Sequence, residues 1–270
     1  DLGRIARPGA VRVDELFAGD PSNDVPSVGI ELELFPLRVP GDGATPTVPT
    51  IAETADALED LPSITFEPGG QVELNPPPAS TASEAIERIG LLRAEAAGRL
   101  RRRDRGLVAI GLDPWHDAAE VPLQLADERY RAMDAHYATI GLEGRTFMRQ
   151  TASTQLCVGL RPCDDGWMQW HAANLMAPLL AAIFANAPFR HGRALGHNGG
   201  RTAVIEKADR ARHRLDWVAR APHVAYAELA SAAHPIGAAY AGPASAVAHL
   251  TTLFPPVRPR GTYLEVRSVD

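Results

Sequence analysis

The sequence predicts an α+β domain built on a mainly antiparallel sheet. Three observations carry that expectation. Apolar residues recur with period two in three separated stretches, "VGIELELF" at 28–35, "QVEL" at 71–74 and "YLEVR" at 263–267. Between them lie segments whose apolar residues recur at helical spacing, the longest being "TASEAIERIGLLRAEAAGRLRRRDRG" at 81–106. Strands and helices do not alternate steadily, which argues against a parallel β-α-β sheet.

Each element follows from its own residues. In 28–35, Ile30, Leu32 and Leu34 fall on one face and Glu31, Glu33 and Phe35 on the other. Residues 38–50 form a loop rich in Pro, Gly and Thr, and a short helix is expected over 51–59. The stretch "FEPGGQVELNPPP", 66–78, sets a strand pair about a Gly69-Gly70 turn, with prolines fixing the chain on its far side. Ser80 or Thr81 can cap the long helix, whose buried stripe is expected at Ile86, Ile89, Leu92, Ala96 and Leu100. Arg99, Arg101, Arg102 and Arg103 suit the negative end of its dipole and face solvent. "LVAIGLDP", 107–114, reads as a buried strand. "DERYRAMDAHYATIG", 127–141, reads as a helix with Met133 and Tyr137 in the core. "TASTQLCVGL", 151–160, is a strand and 167–187 a largely apolar helix. Its most apolar part, 174–189, is short for a membrane span and contains Asn174, Pro178 and Asn186, so a buried helix is expected. Helices follow near 201–212 and 225–233, and a turn-rich segment then leads into the last alternating strand. No internal repeat or linker divides the chain, so 1–270 reads as one domain.

Composition narrows the function. A hydrophobic content of 45% in 270 residues supports a real core. A net charge of -6 argues against a general nucleic-acid binder, while leaving room for a local basic site. Lys207 is the only lysine; with the many Ala, Gly and Pro this matches high-GC coding, so arginine usage alone says little about recognition. Cys157 and Cys163, in "CVGLRPC", fit neither a zinc ribbon nor a CxxC site and read as reduced thiols of a cytoplasmic protein. The opening "DLGRIARPGA" has no apolar core of signal-peptide type, and no membrane partner is expected.

Three strands share an unusual polar face. Glu31 and Glu33 lie on one, Gln71 and Glu73 on the second, with Glu67 just before its turn, and Tyr263, Glu265 and Arg267 on the third. One such face would ordinarily be solvated. Three of them, beside Gly or Pro turns, are better explained by one sheet presenting Glu31, Glu33, Glu67, Glu73 and Glu265 to a shared cavity. Their repulsion needs a counter-charge. Mg²⁺ takes oxygen ligands and bridges carboxylates to nucleotide phosphates. There is no Walker A motif and no GxGxxG after a strand, which leaves a carboxylate-lined sheet holding Mg²⁺ and ATP.

"GIELE", "EPGGQVEL", "RYRAMDAHY", "TASTQ", "FANAPF", "HLTTLFPPVRPRG" and "LEVRSVD" occur in an order that resembles glutamate–cysteine ligases over about residues 28–270. The resemblance is closest to the bacterial ligases of ergothioneine biosynthesis and extends to the plant-type enzymes. It implies a glutamine-synthetase-like antiparallel sheet, curved into an open funnel with helices outside. It also implies a reaction in which ATP phosphorylates the side-chain carboxylate of glutamate and the amine of cysteine attacks the acyl phosphate. Carried over residue by residue, Glu31, Glu33, Glu67, Gln71, Glu73 and Glu265 are metal-site candidates, and Glu73 and Arg267 catalytic ones. Arg129, Tyr130, Met148 and Arg201 would bind substrate. Gln155, Arg258 and Arg260 would meet the nucleotide, although either arginine could equally be structural. Small-molecule substrates (glutamate, cysteine or another amine, ATP) are the partners this implies.

The chain also departs from the family pattern. Members usually read close to QVNLD where this chain has "QLCVGL", so Cys157 and Gly159 replace an asparagine and an aspartate; Phe147 stands where a second methionine is common. The stretch 213–247 is compressed, and the helical region expected after "LEVR" is absent from the 270 residues. Three readings therefore stay open: a glutamate–cysteine ligase, a ligase for a different amine, and a nucleotide- or glutamate-binding relative without turnover.

Overall fold

The computed structural model describes residues 13–21, 27–125, 127–215, 221–236 and 245–270. The opening ten residues and parts of the 213–247 stretch lie outside these. After a short 3-10 turn, Val13–Phe17, the chain forms β1 (Val28–Arg38), α1 (Ile51–Ala57), β2 (Ile64–Phe66), β3 (Val72–Leu74), α2 (Ala82–Arg101) and β4 (Arg105–Val108). The middle contains α3 (Glu128–Ile140), α4 (Leu142–Gln150), β5 (Thr154–Gly159) and α5 (Cys163–Ile183), then a small hairpin, β6 (Phe189–Arg190) with β7 (Arg193–Ala194). The last part runs α6 (Gly200–Ala208), α7 (Arg210–His213), α8 (Pro222–Ala232), α9 (Ser245–Leu250), β8 (Val257–Pro259) and β9 (Tyr263–Val269).

The main sheet is open and antiparallel, in the order β2-β3-β1-β5-β9-β8, with β4 on the far end of β1. Its register sets Glu33 opposite Glu73, Glu31 opposite Gln155 and Cys157 opposite Glu265. Polar residues from four strands thus share one face. The other face is apolar. One half of it, Leu34, Val72 and Leu74, packs on Ile89, Ala96 and Leu100 of α2. The other half, Val257, Leu264 and Val266, packs on Trp170 of α5 and Tyr226 of α8. Leu34, Leu74 and Leu100 are fully buried, and each such side chain contributes about 2 kcal/mol. Thr81 caps α2, its hydroxyl accepting from Glu84 N; Thr50 and Glu53 form a reciprocal capping box on α1. Over the polar face stand α3, α4 and α6, joined by Met133, Tyr137, Met148 and Ala208.

Several elements differ from the sequence expectation. Ile86 is exposed, and the stripe of α2 begins instead at Ala85, four residues before Ile89. Of 107–114 only Leu107 and Val108 are in a strand, because β1 ends its pairing at Phe35–Val108. The 201–212 helix is broken at Asp209, whose side chain caps α7. The apolar helix α5 is buried on one side only: Trp170, Asn174 and Ala177 face inward, while Leu175, Leu179 and Ile183 are exposed. An all-round apolar helix does not reveal which side is covered. Among the described residues no helix is long and apolar enough to cross a membrane.

The Gly69-Gly70 turn joins β2 to β3 as expected. Gly70 has φ +93°, and its N–H donates to Glu67 O. A Cβ on Gly69 would lie 1.9 Å from the backbone oxygen of Arg149. Gly69→Ala is therefore expected to destabilise the protein by about 2–4 kcal/mol. Gly90→Ala, where nothing lies within 4 Å, should stabilise α2 by about 0.5–1 kcal/mol. Urea unfolding of the pair checks both signs.

Candidate active site

The polar face of the sheet floors a cavity of about 310 Å³. Every residue named above as a metal, substrate, nucleotide or catalytic candidate lines it. Strand pairing delivers Glu31, Glu33, Glu73, Gln155, Glu265 and Arg267. The turn before β3 delivers Glu67 and Gln71. Arg129 and Tyr130 come from α3, Met148 from α4 and Arg201 from α6, while Arg258 and Arg260 lie in and just after β8.

Within the cavity the carboxylates divide. Glu33, Glu67 and Glu73 each offer an oxygen, all within 4.8 Å of one another. Glu33 is clamped: Ser153 N donates to its Oε2 at 2.8 Å and Gln155 Nε2 to its Oε1 at 2.7 Å. Glu73 Oε2 accepts from Thr65 Oγ1 at 2.6 Å and from Asn75 Nδ2 at 3.1 Å. Burial, and then the charge of Glu73, push Glu33 up to about 7. Burial followed by Glu33 and Glu73 holds Glu67 well above the ordinary carboxylate range. A cluster of hard oxygens, with Glu33 buried and Glu67 and Glu73 half-buried, fits a divalent cation. Glu31 stands apart from this triad, where Cys157 Sγ donates to its Oε1 at 3.5 Å. Burial, and next Glu73, raise it too. Gln71 Nε2 donates to Thr151 O at 2.7 Å, and its Oε1 is buried with no hydrogen-bond partner.

Glu265 lies among arginines rather than among carboxylates. Arg267 Nη1 donates to it, and Arg260 Nε and Arg258 Nε lie 3.5 and 3.9 Å from its Oε2. Burial alone would raise Glu265; Arg267, then Arg258 and Arg260, outweigh it and hold the carboxyl low. Arg267 Nη1 also donates to Gln155 Oε1 at 2.6 Å. One continuous relay, Glu33–Gln155–Arg267–Glu265, therefore crosses β1, β5 and β9. The Phe254 ring centroid lies 5.5 Å from the Arg267 guanidinium carbon and 6.0 Å from that of Arg258.

The two arginines expected on substrate are held differently. Arg129 Nη2 donates to Thr251 O at 3.1 Å, its guanidinium carbon lies 5.0 Å from the Tyr130 ring centroid, and its Nε has no partner. Arg201 is more fully engaged, donating to Asp270 Oδ1 and to Arg267 O, both at 3.1 Å. Only its Nε is left buried without a partner.

Asn75, Ser153, Phe254 and Asp270 complete this arrangement and were not among the expected site residues. Asn75 had a readable signal, since 71, 73 and 75 alternate onto one face of "QVELN". Ser153 acts through its backbone and Asp270 through a helix distant in sequence, so neither had one.

The triad sets a pH dependence. The folded pKa of Glu33, about 7, lies above its ordinary value of 4.5. Between those values the folded protein binds a proton that the unfolded chain has lost. Stability from this group is thus complete below about pH 4.5 and lost as pH rises through about 7. Glu33→Gln, which cannot ionise, should gain on the metal-free wild type from about pH 5 to pH 8, by on the order of 2 kcal/mol. Paired melting curves in a chelator check this, and Mg²⁺ should stabilise the wild type alone at the higher pH.

A family model described as glutamate-cysteine ligase family 2 (GCS2) matches residues 27–270. Glutamate–cysteine ligase EgtA of Mycobacterium tuberculosis (strain H37Rv) is 30% identical over 280 residues, covering 90% of this chain and 64% of the relative. The chloroplastic glutamate–cysteine ligase of Arabidopsis thaliana is 25% identical over 150 residues, covering 56% of this chain and 28% of the relative. The chain thus spans about 64% of the length of the EgtA relatives it matches. A crystal structure of the Francisella tularensis glutamate–cysteine ligase (gshA) in complex with AMP shares the fold, with a TM-score of 0.56 at 13% identity, covering 91% of this chain and 61% of that one.

Proposed function

Because the chain belongs to glutamate–cysteine ligase family 2, we propose that its cavity joins L-glutamate to L-cysteine with ATP, giving γ-glutamylcysteine, ADP and phosphate. The observation that carries this reading is one cavity holding a carboxylate triad and an arginine cluster, linked by Gln155. Phosphoryl transfer depends on such positioning and charge neutralisation more than on a protein nucleophile.

In this reading Glu33, Glu67 and Glu73 hold Mg²⁺. When bound, the ion supplies positive charge to the nucleotide phosphates. A γ-carboxylate oxygen of glutamate attacks the γ-phosphorus and ADP leaves. The cysteine amine then attacks the γ-carbonyl carbon, loses a proton, and phosphate leaves with one glutamate oxygen. Arg267, fixed by Glu265 and Gln155, stabilises the transferring oxygens, and Arg258 and Arg260 support the phosphates. Arg129, which donates only to Thr251 O, is the better placed of the two substrate arginines; Arg201, tied to Asp270 and to Arg267 O, mainly braces β9. Tyr130 and Met148 shape the pocket wall. The unpaired Cys157 and Cys163 are in keeping with a cytoplasmic enzyme.

The test is ADP release with Mg²⁺, ATP and glutamate, with and without cysteine, and mass spectrometry of the product. Cysteine-dependent release with a γ-glutamylcysteine mass supports the reading. Release that needs another amine moves it to a different second substrate. ATP binding without release assigns a relative that has lost turnover.

A further inference from the structure

Arg258 and Arg267 stand in one cavity wall and repel each other. Burial first, and then Arg267 and Arg260 against the pull of Glu265, bring the Arg258 guanidinium down to about 10. Glu265 is the carboxylate they share, and Arg267 draws on it more closely. Arg258 otherwise donates to Leu253 O at 3.5 Å, so among the described residues no short hydrogen bond fixes its guanidinium. The Phe254 ring lies against both cations. The face of an aromatic ring attracts a guanidinium. A second carboxylate would do so too, but it would occupy N–H groups and repel a phosphate. A ring adds no charge and leaves N–H groups to a ligand.

The ring is itself held from outside the cavity. His213 stacks on it, centroids 5.7 Å apart, and Phe147 meets it edge-on at 5.4 Å. Burial pushes His213 down to about 3, so a neutral ring rather than a third cation lies against Phe254. The backbone is anchored as well. Phe254 N donates to Arg212 O at 2.9 Å. The buried Arg212 donates from Nη1 to Thr252 Oγ1 at 2.7 Å, and its Nε lies 3.0 Å from Asp209 Oδ2. His213, Arg212, Thr252 and Asp209 do not line the cavity, whereas Phe254 does. Such anchoring outside the site is what a precisely placed contact requires.

We propose that Phe254 is a positioning residue for this reaction: its ring holds Arg258 and Arg267 in place for the phosphates while leaving their remaining N–H groups to the ligand. This rests on the ATP-dependent reading above. The test replaces Phe254 in turn by mono-, di- and trifluorinated phenylalanine. Fluorine withdraws charge from the ring face and changes its shape little. The kcat for ADP release should fall stepwise with each fluorine, by about tenfold in all, at an unchanged melting temperature. The KM for glutamate should stay within about twofold, because Arg129 rests on Thr251 O and not on this ring. Phe254→Leu, which keeps apolar bulk without a ring face, should lose at least as much turnover as the trifluorinated ring. Equal kcat across the fluorinated series, or kcat that falls only in step with the melting temperature, overturns the inference and leaves the ATP-dependent reading standing. Wild-type turnover in Phe254→Leu overturns it too. A wild-type protein that releases no ADP with any amine overturns the ATP-dependent reading itself, and the inference with it.

Discussion

Glu73→Gln is expected to lower cysteine-dependent ADP release by about a hundred- to a thousandfold without loss of stability. The substitution keeps the shape of a residue that faces Glu33 across the β1–β3 pair and removes one of three carboxylates. An amide oxygen can still accept from Thr65 and Asn75, the present partners of Glu73. Beside burial, repulsion by Glu73 helps raise the Glu33 and Glu67 carboxyls, so its removal should leave the melting temperature unchanged or higher. Activity and stability would move apart, the mark of a group held in an unfavourable place for function. Turnover and melting curves on the same preparation check this. Glu95→Gln, which breaks only an exposed α2 pair with Arg99, is the control and should change neither by much. Activity of Glu73→Gln within about threefold of wild type would remove the triad from the mechanism.

Arg267→Met should behave differently, losing about a thousandfold in turnover and about 2–4 kcal/mol of stability. Its guanidinium holds Glu265 and Gln155 at once. Without it, Gln155 Oε1 loses its donor, and Glu265, buried to 3% exposure, keeps only Arg260 and Arg258 at 3.5 and 3.9 Å. Glu33 then loses part of its support through Gln155. Arg267→Lys keeps the charge but not the planar fork, and cannot serve both partners. It should recover much of the stability and little of the rate. Equal recovery of both would make Arg267 a structural brace.

The strands were the most legible part of the chain. Period two in "IELEL", "QVEL" and "YLEVR" identified both their buried and their polar faces, and the core confirms the apolar half in Leu34, Val72, Leu74, Leu264 and Val266. Helix α4 was missed because its buried side consists of Gly144, Thr146, Met148 and Gln150, which form no apolar stripe. The need for Gly144 is tertiary, since a Cβ there would lie 2.4 Å from Tyr137 O. Ile86 misled because helical spacing allows two adjacent stripes, and only packing selects Ala85. The carboxylates could be nominated from alternation, but their separate fates could not. That Glu33 joins Glu67 and Glu73 while Glu265 joins three arginines depends on register and on β8, which the turn-rich "FPPVRPRG" concealed. The helical arginines, distant in sequence, were legible only through resemblance to the ligase family.

The central claim, that glutamate is activated as an acyl phosphate in this cavity, is tested most directly by oxygen transfer. Glutamate labelled with ¹⁸O in both γ-carboxylate oxygens is turned over with ATP, Mg²⁺ and cysteine, and the phosphate is analysed by mass. The account predicts one ¹⁸O in each phosphate and one in each γ-glutamylcysteine, because one oxygen crosses to phosphorus before the amine displaces it. Unlabelled phosphate released at the full rate of ADP formation would contradict it, showing that water and not glutamate receives the phosphoryl group.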